Sequence, residues 1–138
     1  MNLVQFYYLH SVILLLKLQP MTSASKSLYY FGLYLLILGI TLTVFPNVLL
    51  SLFQIAETNE VWIHVLGTVV FGIGLYYVLM APSNNTLFLT ISIYVRASIL
   101  LWFIAFVLIG WAPVQLILFG LADAAGALWT YVALKSNK

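Results

Sequence analysis

LFLTISIYVRASILLWFIAFVLIGWAPVQLILFGLADAAGALWTYVAL, residues 87–134, is a run of 48 residues with only two charges, Arg96 and Asp123. Crossing the hydrocarbon core of a bilayer takes about 20 predominantly apolar helical residues, so this stretch holds two spans. Gly110-Trp111-Ala112-Pro113 divides it. Gly110 suits a helix C-cap, and Pro113 suits the first turn of the next helix. The expected spans are 87–109 and 113–134, paired as a short-looped antiparallel hairpin. Neither run alternates as a lipid-facing barrel strand does, so both read as helices.

Upstream, residues 61–80 form another apolar run, closed by Ala81-Pro82-Ser83-Asn84-Asn85, a strong turn sequence. Residues 27–45 form the first span, and no charge lies between Lys26 and Glu57. A straight helix from Ser27 to Gln54 would measure about 42 Å, longer than the ~30 Å core. Pro46 therefore predicts either a break followed by a short interfacial helix over 47–55, or one tilted, kinked span. The fold expected is an all-α, four-transmembrane-helix antiparallel bundle over residues 27–135. Residues 1–26 form an N-terminal extension. The stretch before Met21-Thr22-Ser23-Ala24-Ser25-Lys26 reads either as an interfacial helix with Tyr7, Tyr8 and Lys17 at the headgroups, or as sequence ahead of a true start at Met21.

Composition narrows the function classes. The chain has 138 residues, five Lys and Arg, three Asp and Glu, 64% hydrophobic residues and a mean hydropathy of +1.13. Charged residues make up 6%, against about 25% in soluble domains. No water-soluble fold of this size hides so much apolar surface. A net charge of +2 gives no footprint for nucleic acid. There is no cysteine, which excludes disulfides, thiolate metal sites and thiol redox chemistry. The only histidines, His10 and His64, are badly placed for a bis-histidine haem, and no cofactor is expected.

Lysines set the orientation. Lys17 and Lys26 precede the first span, and Lys135 and Lys138 follow the fourth. The connection after the first span carries Glu57 and Glu60 with no positive charge. The positive-inside rule then predicts both termini in the cytoplasm. Trp62 and Trp111 would form the outer aromatic belt, and Tyr29, Tyr30, Tyr76, Tyr77 and Tyr131 the inner one. Asn84-Asn85-Thr86 matches a glycosylation acceptor but falls on the inner side.

Arg96 and Asp123 are the main chemical signal. A charge at the bilayer centre costs roughly 2.5–3.5 kcal/mol on insertion scales. The two residues lie at depths within about one helical turn of each other, which predicts a buried interhelical ion pair or a ligand anchor. Ser92, Thr130 and Tyr34 are expected to support it, because spare guanidinium donors need acceptors in a dry interior. Tyr30 and Thr41 could share the Tyr34 side of the first span. Glu57, Glu60 and His64 form a second set, at spacings of three and four residues. It reads mainly as a solvated helix start, with a metal or proton-relay site as the sharper alternative. Gly67 and Gly74, and Gly120-Ala124 with Gly126-Thr130, mark close-packing helix surfaces.

Leu118-Phe-Gly-Leu-Ala-Asp123-Ala-Ala-Gly126-Ala-Leu-Trp129-Thr130 resembles the last helix of small DoxX-like four-helix membrane proteins, and Gly39…Pro46-Asn-Val-Leu-Leu resembles the end of their first. The resemblance covers about residues 27–134. It implies a four-helix bundle in a bacterial inner membrane and loose ties to respiratory-chain, quinone or thiol-stress roles, and it carries over no catalytic residue.

The leading expectation is a non-enzymatic structural or accessory component of a membrane complex, in contact with lipid and with a membrane-protein partner or a second copy of the chain. The alternative is a lipid- or quinone-binding module, or a small transporter, anchored at Arg96 and Asp123. A third reading is an enzyme acting at the outer surface through Glu57, Glu60 and His64.

Overall fold

The computed structural model describes residues 2–18 and 20–136, without the side chains of 15–18. The Lys17 side chain and Lys138, both used in the orientation argument, lie outside the described residues. Among the described residues six α-helices follow in order: α1 (Leu3–Leu18), α2 (Ser23–Val44), α3 (Pro46–Leu52), α4 (Val61–Met80), α5 (Thr86–Ile109) and α6 (Leu116–Ser136). No strand occurs among the described residues. Four of the helices, α2, α4, α5 and α6, are long and apolar enough to cross a membrane. This architecture is compatible with a multi-pass membrane protein.

Local chemistry sets the helix ends. The Thr22 hydroxyl accepts from the Ser25 N–H (3.2 Å) and caps α2, so that helix starts four residues before the expected Ser27. The Asn85 side chain accepts from the Phe88 N–H (3.0 Å) and caps α5. Gly110 closes α5 in the left-handed region at φ +83°, where a Cβ would be strained. Pro113 does not open α6. Residues 113–115 form tight turns in which Leu116, Ile117 and Leu118 donate three residues back, to Pro113, Val114 and Gln115. The α-helix takes over only at Leu116.

At Pro46 the chain breaks. Phe45 leaves helical geometry (φ −131°, ψ 54°), and Pro46 occupies the first turn of the separate helix α3. Proline has no N–H to continue the preceding ladder, but its fixed φ suits a helix start. The single kinked span is therefore not formed.

The spans are arranged around α2 and α6. Helix α2 packs along α4 and against α6, and α6 packs along α5. The α4–α5 seam is the lightly packed side, closed at its hairpin end by Tyr77 against Phe88 (5.9 Å, edge to face). The α2–α4 contact is close because both helices present glycine. A Cβ added at Gly39 would sit 2.5 Å from the Phe71 nitrogen, and one at Gly67 2.5 Å from the Thr43 nitrogen. Small residues of this kind let apolar helices approach when no hydrophobic effect drives them together. The expected Gly67–Gly74 surface thus packs within the chain, against α2.

Tyr77 is a correction to the expected aromatic belt. It is buried in the core against Phe31 (6.1 Å between ring centroids), not placed at an interface. Its position on α4 faces α2, whereas the neighbouring Tyr76 is exposed. Helix α1 lies beside the bundle and touches it near the Ala81–Ser83 turn. There the Asn84 side chain clamps the linker: its Oδ1 accepts from the Thr22 N–H (2.9 Å) and its Nδ2 donates to the Pro20 carbonyl (3.3 Å).

Candidate functional site: a sealed guanidinium

Three helices converge on Arg96. It is only 2% exposed, and Ser27 of α2 and Thr130 of α6 are fully buried beside it. Arg96 Nη1 donates to Thr130 Oγ1 (3.2 Å). The Ser27 hydroxyl lies 2.8 Å from the same oxygen, and the Gly126 carbonyl lies 3.0 Å from it. The Ser27 hydroxyl also lies 2.7 Å from the Ala24 carbonyl. Each hydroxyl has one proton and two lone pairs. Either Ser27 donates to Ala24 and accepts from Thr130, or Ser27 donates to Thr130 and Thr130 to Gly126. In both cases Thr130 Oγ1 keeps a lone pair for Arg96. The guanidinium carbon sits 3.7 Å from the centroid of the Phe31 ring, a cation–π contact in a desolvated setting.

Gly126 makes this placement sterically feasible. A Cβ there would run into Arg96 Nη2, and would lie 2.8 Å from Phe31 Cδ2. The guanidinium therefore sits against the Phe31 ring with its Nη2 end abutting bare α6 backbone.

The expected direct ion pair is not formed. Arg96 Nε and Nη2 are sealed from solvent and have no hydrogen-bond partner, so the Asp123 carboxylate accepts from neither. Asp123 lies three residues before Gly126, on the same face of α6 and about one turn toward the glutamate end. It is half-buried. The two charges share a neighbourhood without touching.

Of the expected supporting residues, Thr130 belongs to the Arg96 network. Ser92 does not: it is buried, but its hydroxyl donates to Leu89 O of its own helix (2.8 Å). Tyr34 stands one turn from Phe31, its ring 5.4 Å away and tilted, level with Asp123 rather than with Arg96. Thr41 is likewise spent on its own helix, on Ile37 O (2.8 Å). Tyr30 is exposed and stacks on Trp129 (6.3 Å). Ser27, Phe31 and Gly126 are the members that sequence reasoning missed. The spacing Ser27–Phe31–Tyr34 on α2, and Asp123–Gly126–Thr130 on α6, was the available signal, since each set shares one helix face.

Glu57, Glu60 and His64 do not assemble. No metal-sized group of acidic or histidine side chains occurs among the described residues. Helix α4 begins only at Val61, with Glu60 extended at its cap position, so the helical spacing that would align Glu57 with His64 does not exist. His64 Nδ1 is engaged by the Thr43 carbonyl (2.7 Å). A carbonyl only accepts, so Nδ1 carries the proton in this bond. His64 thus ties α4 to the end of α2.

No family model, curated protein or solved structure matches the chain.

Proposed function

We propose that this multi-pass membrane protein holds a membrane amphiphile by an oxygen acceptor on its headgroup, a lipid or a quinone, with Arg96 as the anchor. One observation carries the reading: two buried N–H groups of a charged side chain, Nε and Nη2, have no protein partner. An unpaired donor in an apolar interior forfeits its full desolvation cost, more so when it is charged. Intramembrane ionisable residues otherwise pair with one another or face a cavity. The Phe31 face and the Thr130 hydroxyl offset part of the charge and leave one edge of the guanidinium buried without an acceptor.

Native mass spectrometry of the purified full chain tests this. The wild type is expected to retain a phospholipid or quinone adduct on release from detergent, and Arg96→Met to lose it while keeping its helical content. Equal retention by both proteins refutes the reading.

A second reading is the structural or accessory component of a membrane complex, and the Arg96–Thr130–Ser27 contacts favour it, because they join α5, α6 and α2 at one point. It predicts that Arg96→Met lowers stability with no adduct in either protein. The DoxX-like resemblance is compatible with either reading and adds no residue to them.

A further inference from the structure

We propose, resting on the anchor reading above, that the headgroup is a zwitterion: a two-oxygen acid group on Arg96 and an ammonium, one short link away, on Asp123. The argument begins with the shape of the guanidinium. Its three nitrogens lie in a plane about 120° apart, and Nε–H and Nη2–H point in parallel from one edge, the fork that grips carboxylates and phosphates bidentately. Those are the two unpartnered donors. Nη1 points to Thr130, so the fork faces the opposite way. Thr130 is one turn beyond Gly126 toward the lysine end, and Asp123 one turn before it toward the glutamate end. The open edge is therefore directed along α6 toward the level of Asp123.

Asp123 completes the complementarity. It is a carboxylate at mid-span depth, half-buried, and Arg96 does not neutralise it by contact. A ligand with only an anionic group would satisfy the fork and be repelled by Asp123. A quinone carbonyl offers the fork one oxygen and offers Asp123 no cation. A phosphate joined to a primary ammonium by two carbons satisfies both, and leaves the ligand and the two side chains together with no net charge. The edge is sealed in the structure, so a headgroup reaches it only where helices part, and α4 and α5 are the successive spans that touch least. The chemistry fits the headgroup of phosphatidylethanolamine, or the same group free in solution.

The test supplies the full chain in detergent with equal amounts of phosphatidylethanolamine, phosphatidylglycerol and a long-chain quinone, and reads adducts by native mass spectrometry. Wild type is expected to retain phosphatidylethanolamine about tenfold over phosphatidylglycerol, the worth of one charge-assisted hydrogen bond. Asp123→Asn is expected to bring the two lipids to parity while binding persists. Arg96→Lys, which keeps the charge and removes the fork, is expected to lose both, and it substitutes for Arg96→Met if that variant does not fold. Competition by soluble glycerophosphoethanolamine at equal concentration assigns a free source, and its failure assigns the lipid; either supports the zwitterion chemistry. Wild-type binding without preference between the lipids, or quinone retained over both, overturns the zwitterion while leaving the Arg96 anchor standing. Adduct levels that do not change in any Arg96 variant overturn the anchor itself.

Discussion

Replacing Gly126 by alanine asks whether the guanidinium rests on bare backbone. The added methyl collides with Arg96 Nη2 and crowds Phe31 Cδ2. Two outcomes relieve the clash. The core strains around the methyl at a cost of about 1–3 kcal/mol, or Arg96 withdraws and loses its bond to Thr130, about 1.5–3 kcal/mol for a hydrogen bond from a charged group. Against either, alanine gains about 1 kcal/mol over glycine within a helix. The net expectation for Gly126→Ala is a loss of about 0–2 kcal/mol. In an Arg96→Ala background the guanidinium is gone and the Phe31 ring has room to tilt. There the same substitution is expected to stabilise by about 1 kcal/mol. The coupling between the two positions is then about 1–3 kcal/mol, within the range seen for residues in contact. The four proteins of the cycle are compared by reversible unfolding in mixed micelles, followed by far-ultraviolet circular dichroism. Effects of Gly126→Ala that agree in the two backgrounds to within about 0.5 kcal/mol, the scatter of independent sites, refute the placement of Arg96 over Gly126.

Thr130→Val keeps the side-chain shape but removes the hydroxyl that bonds both Arg96 and Ser27. It is expected to cost about 2 kcal/mol in the same assay, whereas Thr130→Ser is expected to stay close to wild type; equal losses would show that the hydroxyl is not what matters. Asn84→Ala frees the Pro20 carbonyl and the Thr22 N–H. Hydrogen-exchange mass spectrometry is expected to show faster exchange at Thr22 with no change in the middle of α2, and unchanged exchange at Thr22 would count against the clamp.

Apolar run length and punctuation made the fold legible. The borders of α4 follow directly from the Glu60–Val61 and Met80–Pro82 transitions, and Gly110 announces the end of α5. Pro46 marked the break without saying whether the chain would kink or stop, because that depends on whether Phe45 is held in helical geometry by its surroundings. Pro113 misled for a related reason: a proline at N1 is a preference, and here the tight turns over 113–115 satisfy the same backbone groups first. Depth is what residue counting reads well. It placed Arg96 beside the Asp123–Thr130 half of α6. Azimuth and side-chain reach are what it reads poorly. Two opposite charges within a turn of each other suggest contact, yet an arginine in a crowded three-helix junction goes where there is room. On α6 the room beside Arg96 is at Gly126, which has no side chain, and lying there brings Nη1 to Thr130 and the cation onto Phe31. A direct Arg96–Asp123 bridge would satisfy the fork and leave the Gly126 notch empty. The observed arrangement fills the notch and leaves the fork unsatisfied, so packing decides the position of the guanidinium, and its open edge is the part of this core that the chain itself does not complete.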